Sequence, residues 1–178
     1  MILDVGCGCR EVHTPRGDVG VDLHGNPNGN PELFAAADGH CLPFMDEQFE
    51  VVSLYEVLEH VENPFGVIRE TWRVLKRDGV FRLSVPNQYF WRILLWRLVG
   101  KAVWRDHIHA FNEHTLINLL SKCGFTVTLL DYVLVPERWI RDKRLHRSAD
   151  SAAYKLRLMR RFTAPSLLIE CRKTVGDA

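Results

Sequence analysis

Short apolar runs punctuated by turn-forming residues recur along the chain, and their spacing predicts an α/β sheet. Ile2–Val5 is an apolar run that leads straight into Gly6-Cys7-Gly8. Val19-Gly20-Val21-Asp22 is a second run, and it stops on a carboxylate. A loop rich in Gly, Asn and Pro at 24–31 precedes a third short run at 32–37, which Asp38-Gly39 ends. Phe49–Tyr55 is the clearest strand, continuous and β-branched as a strand buried on both faces tends to be.

From here the period changes. Asn63-Pro64 predicts a helix start, with Asn63 as N-cap and Pro64 in the first turn. Phe65, Ile68, Trp72 and Leu75 form one apolar stripe for the sheet, and Asp78-Gly79 closes the helix. Residues 80–85 predict a fifth strand. Residues 89–104 are helical in character and apolar around most of the circumference, with Arg97, Lys101 and Arg105 sharing one side. Asn112 caps a further helix with Leu116, Leu119 and Leu120 on its apolar side, closed by Gly124. Residues 125–135 are strand-like. Tyr154, Leu158 and Phe162, at i, i+4 and i+8, suggest a helix, and 166–171 is a last strand. Seven strands in this order make a mostly parallel, doubly wound sheet in a single domain spanning 1–178. The first crossover, 9–18, contains Pro15 and Gly17 and has room for a turn of helix at most.

Composition narrows the class without naming a function. The 47% hydrophobic and 25% charged fractions are those of an ordinary globular protein. A net charge of +1 gives no global field for nucleic acid, so none is expected as a partner. Residues 137–161 are locally basic, with nine Lys or Arg against three acids, which suits an anionic acceptor or simply a solvated face. The five cysteines are odd in number and form no CxxC pair. With no leader-like start and no apolar run of membrane-spanning length, they point to a reducing, cytoplasmic compartment.

Candidate chemistry gathers at the strand ends. A strand running into a Gly-x-Gly turn brings bare backbone to the carboxyl edge of the sheet, where ligands bind in open α/β folds. Asp22 is placed to accept from the two hydroxyls of a ribose, or else it caps the next turn. Leu23 could lie against an adenine face. Asp38 could accept from an adenine amine, or be an ordinary turn aspartate. Tyr55-Glu56 ends its strand toward the same crevice as Gly6. His107 and His109 invite a metal reading, but no third ligand stands at a diagnostic spacing, so no metal site is expected.

Several stretches together resemble the class I S-adenosylmethionine-dependent methyltransferases, of the small-molecule type that includes quinone-biosynthesis enzymes. They are ILDVGCG (2–8), VGVDL (19–23), ADGHCLPFMDEQFEVVSLYEVLEHVENP (37–64) and RVLKRDGVFRLSVPN (73–87), with a weaker match in DHIHAFNEHTLINLLSKCGF (106–125). The resemblance implies a Rossmann-like seven-stranded sheet whose last strand is antiparallel, with S-adenosylmethionine as cofactor. It puts Asp4, Gly6, Cys7 and Gly8 at the methionine moiety, Asp22 at the ribose and Leu23 beside the adenine. Asp38 with Gly39 falls at the adenine edge, Tyr55 and Glu56 beside the cofactor's amino acid, and His60 at the mouth of the cleft. Two departures stand out: Arg10 replaces the family's usual third glycine, and no substrate-covering helices precede Met1. A lid is then expected from 88–112 and 136–164.

The short first crossover and the lost final glycine help choose between functions. A dinucleotide's pyrophosphate relies on the helix N-terminus after the glycine turn, whereas adenosylmethionine has no phosphate, so a dehydrogenase is disfavoured. The expected reaction is in-line methyl transfer to a small-molecule acceptor, apolar or anionic. A base is required only if that acceptor must lose a proton. His60, His107 and His109 are the candidate bases, although His60 could instead only bond backbone at a helix start. The aromatic and basic stretch 89–105 fits a membrane interface, packing on the sheet, or a homodimer contact. A binding or scaffold protein that keeps the fold without the chemistry is the rival from another class.

Overall fold

The computed structural model describes residues 1–7, 17–25, 33–100, 107–133 and 159–174. Seven strands form one sheet: β1 (Ile2–Val5), β2 (Val19–Asp22), β3 (Leu33–Ala36), β4 (Phe49–Tyr55), β5 (Leu75–Pro86), β6 (Phe125–Val133) and β7 (Ser166–Lys173), in the order β3-β2-β1-β4-β5-β7-β6. All neighbours run parallel except β7, which lies antiparallel to both β5 and β6. The Rossmann-like sheet with an antiparallel last strand is therefore present. Strand order reverses between β1 and β4, and such a switch point opens a crevice at the carboxyl ends of the two strands. The shortened first crossover falls largely on residues 8–16, outside the described residues.

Among the described residues, three longer helices accompany the sheet: α1 (Pro64–Val74), α2 (Trp91–Leu98) and α3 (Glu113–Lys122). Asn63 caps α1, its side chain accepting from the Gly66 N–H at 3.1 Å. Asn112 and Thr115 exchange bonds of 3.0 and 3.1 Å in a capping box that starts α3.

Several expected boundaries need correction. The helix was expected to run to Asp78-Gly79 with Leu75 on its buried stripe, but α1 ends at Val74 and Leu75 is already extended. Leu75 pairs with Phe49 and is fully buried, so sheet pairing at the edge of the core overrides the helical period. The face that α1 buries is Val67, Ile68, Thr71 and Val74. Trp72 looks sideways instead, its Nε1–H donating to the Gly124 carbonyl at 3.2 Å. The fifth strand accordingly starts at Leu75 rather than at 80, and β3 and β7 take slightly different bounds from those predicted.

Helix α2 is shorter than the predicted 89–104 and buries Ile93, while Trp91, Leu95, Trp96 and Leu98 are exposed. The predicted basic side of this stretch, with the Arg97 side chain, Lys101 and Arg105, lies outside the described residues. So do Tyr154 and Leu158. Phe162, third in that stripe, sits in a helical turn at 159–163 and is 47% exposed. Of the two candidate lids, the second lies mostly outside the described residues as well. Among the described residues, no helix is long and apolar enough to cross a membrane.

Candidate functional site at the switch point

A cleft of about 600 Å³ opens at the carboxyl ends of β1, β2 and β4. Its volume suits a ligand the size of a nucleoside. The turn after β1 is pinned by two bonds to β2, from the N–H groups of Gly6 and Cys7 to the Val21 carbonyl at 2.7 and 3.3 Å. Gly6 has φ +80°, and a Cβ there would collide with Val57. Glycine is thus required twice over, and bare backbone faces the cleft. Cys7 is half-buried beside it; Gly8 lies outside the described residues.

Among the described lining residues, three are carboxylates: Asp22, Asp38 and Glu56. Asp22 ends β2, and its Oδ1 accepts from the His24 N–H at 2.8 Å, so it caps the following turn while also lining the cleft. Leu23, 63% exposed, and Gly39 line the same space. Asp38 accepts from the backbone N–H of His40 at 2.9 Å and is 2.7 Å from its ring Nδ1. Those bonds hold the Asp38 carboxyl below the usual carboxylate range. No Lys or Arg is among the described lining residues.

Glu56 is held in an unusual way. Its φ is +53°, a left-handed conformation costly for a residue with a Cβ. Ser84 on β5 compensates, its hydroxyl donating to Glu56 Oε1 at 2.7 Å and its carbonyl accepting the Glu56 N–H at 3.0 Å. Tyr55, one residue earlier, is 3% exposed and does not line the cleft. Neighbouring residues at a strand end alternate in direction, so Glu56 faces the cleft and Tyr55 the interior.

Asp4 also lies behind the cleft wall, 3% exposed, accepting from the Ser53 hydroxyl at 2.8 Å. Burial pushes its carboxyl up to about 7, against the opposing pull of the Ser53 bond. The β1–β4 register, which sets Asp4 opposite Ser53, creates this pair.

His60 lines the mouth of the cleft, in a turn closed by its N–H donating to the Val57 carbonyl at 3.0 Å. Its Nε2 is 3.7 Å from Oε1 of the buried Glu59. Its ring meets His107 edge-on, with centroids 4.6 Å apart. The Glu59 carbonyl accepts from the N–H groups of Ile108 and His109 at 2.8 and 3.1 Å, which brings the later histidine segment to the cleft. Ligand atoms of Glu59, His60 and His107 all lie within 4.8 Å of one another. Two imidazoles and a carboxylate are a donor set that suits zinc or another first-row divalent metal. His109 stands apart, its Nε2 facing the Glu62 carbonyl at 3.3 Å. Sequence spacing did not reveal the cluster, because its members come from segments that only the fold joins. Glu59, Ser53, Ser84 and His40 were likewise missed.

Comparison with known proteins bears on the family and the fold. The profile of a family described as "Methyltransferase domain" matches residues 1–130. A ubiquinone biosynthesis O-methyltransferase of Pseudomonas fluorescens is 33% identical over a match that covers 49% of this chain and 44% of that protein. The match thus spans less than half the length of that relative. Among solved structures, a SAM-dependent methyltransferase from Methanosarcina mazei superposes with a TM-score of 0.64 at 17% identity, covering 98% of this chain and 92% of the other. One from Archaeoglobus fulgidus gives 0.61 at 17% identity, covering 97% and 85%. At such identities these two likenesses speak to the fold. The strand order, the glycine turn and the family match lead to one conclusion: the chain belongs to the methyltransferase-domain family and has the class I S-adenosylmethionine-dependent methyltransferase fold.

Proposed function

We propose that this cleft binds S-adenosylmethionine and that the protein transfers its methyl group to a small-molecule acceptor. The observation that carries this reading is the set of three carboxylates, Asp22, Asp38 and Glu56, around a bare glycine turn. Adenosylmethionine is a sulfonium that also carries an ammonium group and no phosphate. An acid-lined wall without described Lys or Arg favours such a ligand and repels a pyrophosphate. That opposes the dehydrogenase reading.

The residues divide the ligand between them. Asp22 would accept from the ribose hydroxyls, Leu23 would cover one face of the adenine, and Asp38 with Gly39 would meet its edge. Gly6, Cys7 and Gly8 would border the methionine part, with Glu56 accepting from its ammonium. Asp4 and Tyr55 act from behind the wall. When bound, the cofactor supplies an activated methyl that leaves its sulfur as an acceptor lone pair attacks in line. The chain's own part is chiefly to exclude water and hold that alignment.

For an acceptor that must lose a proton, His60 is the candidate base, and the Glu59 carboxylate 3.7 Å from its Nε2 would offset the charge it gains. The convergence of Glu59, His60 and His107 favours a second role for the same histidine, as ligand to a divalent cation. A cation held there would lower the pKa of an acceptor hydroxyl, which suits O-methylation.

The acceptor side is read from α2. Its exposed Trp91, Leu95, Trp96 and Leu98 suit an apolar acceptor. The Arg92 guanidinium, 5.5 Å from the Trp96 ring centre, adds a cation for an anionic one. The same face fits a membrane interface or a homodimer, and vesicle sedimentation and analytical ultracentrifugation separate the two. We place the protein in the cytoplasm, where free thiols such as those of Cys123 and Cys171 stay reduced. Incubation with methyl-labelled cofactor and a cell extract tests the reaction. Label in a small-molecule fraction supports transfer. Cofactor binding without label transfer supports the scaffold rival.

A further inference from the structure

Among the described residues, Asp38 is gripped at one oxygen. The His40 backbone N–H, at 2.9 Å, and ring Nδ1, at 2.7 Å, both engage Oδ1. The far ring nitrogen, Nε2, lies 3.1 Å from the carbonyl oxygen of Asn63, the residue that caps α1. A carboxylate only accepts, so Nδ1 donates to Asp38, while the opposite edge of the ring faces the Asn63 carbonyl. The helix start is shaped around this ring. A Cβ on Gly66 would come within 3.0 Å of His40 Cδ2, and Val67, the next residue, lines the cleft. His40 thus ties the acid on one wall of the cleft to the helix that forms another.

We propose that His40 is a positioning residue that makes the cleft selective for a purine with a 6-amino group over a 6-oxo purine. By occupying Oδ1 it leaves Oδ2 of Asp38 to the ligand and fixes the plane of the carboxylate. An ionised carboxylate accepts from an amine. Set against an oxo group, it brings acceptor to acceptor and leaves both unsatisfied. This inference rests on the adenosyl reading of the cleft and adds the residue that enforces it.

Calorimetric titration with S-adenosylhomocysteine and with S-inosylhomocysteine, on wild type, His40→Ala, His40→Gln and Asp38→Ala, tests the proposal. Wild type should favour the adenosyl ligand by about tenfold or more, the scale of a hydrogen bond to a charged group. His40→Ala should lose most of that ratio by weakening the adenosyl ligand alone, approaching Asp38→Ala. His40→Gln, which keeps an amide donor for Oδ1, should recover part of it. Equal weakening of both ligands in His40→Ala would mark a merely structural prop and overturn the proposal. A wild-type ratio in His40→Ala, with the ratio lost in Asp38→Ala, would overturn it while leaving the adenosyl reading intact. Failure of wild type to bind either ligand would remove both.

Discussion

Ser84 grips both ends of Glu56: its hydroxyl donates to Glu56 Oε1 at 2.7 Å, and its carbonyl accepts the Glu56 N–H at 3.0 Å. Strained backbone persists where its surroundings over-determine it, and Glu56 at φ +53° is such a place. In that conformation the Glu56 carboxylate lines the cleft wall, where the Ser84 hydroxyl holds it. Ser84→Ala should therefore weaken adenosylmethionine binding by roughly fivefold, about the worth of one hydrogen bond. Titration calorimetry reads it; unchanged affinity would show that Glu56 needs no such tether.

A pH dependence follows from Asp4. Its carboxyl is raised from 3.8 to about 7 by burial, so the folded chain holds this proton more tightly than the unfolded chain does. The direction is then fixed. The stabilising contribution is complete below the unfolded value and is lost as pH rises through about 7. The loss is at most on the order of 4 kcal/mol, since each tenfold gain in proton affinity is worth about 1.4 kcal/mol. Urea unfolding across that range should show stability falling with pH in wild type and a flatter profile in Asp4→Asn. Equal slopes would mean that Asp4 stays ionised in the fold.

Gly124 predicts a stability effect away from the cleft. Its φ is +81°, and a Cβ would meet the Trp72 Nε1 at 2.9 Å, the atom that donates to the Gly124 carbonyl. Gly124→Ala should cost about 2 kcal/mol or more, combining left-handed strain with a displaced indole. Chemical denaturation measures it, and a loss below about 0.5 kcal/mol, the scale of a neutral surface change, would contradict the account.

How much of this was legible beforehand depends on the distance over which each feature is encoded. The glycine turn, Asp22 closing β2, and the caps Asn63 and Asn112 are local, and each was readable from its neighbours. The end of α1 was not, because Leu75 obeys its pairing with Phe49 rather than the helical period around it. Ser53 and Ser84 look like unremarkable strand residues until the register sets them opposite Asp4 and Tyr55. Buried Lys173 is a similar case, its ammonium donating to the Leu75 carbonyl at 2.8 Å and lying 3.9 Å from the Trp72 ring centre. A lysine at the end of a strand gives no warning of this.

The histidine cluster gives a prediction with a readout independent of turnover. If Glu59, His60 and His107 hold a divalent cation, excess zinc should raise the thermal midpoint of wild type by mass action. The rise should vanish in Glu59→Gln and in His107→Ala, and a chelator should reverse it. An equal response in all three proteins would leave His60 to act as a base alone.

Calorimetric titration of the wild-type chain with S-adenosylmethionine and, in parallel, with oxidised nicotinamide dinucleotide decides whether the cleft recognises a nucleoside sulfonium through carboxylates. Saturable binding of the first is expected, weakened about tenfold or more in Asp22→Ala as its ribose bonds are lost, with no binding of the second. Binding of the dinucleotide, or adenosylmethionine affinity indifferent to Asp22, would contradict that recognition.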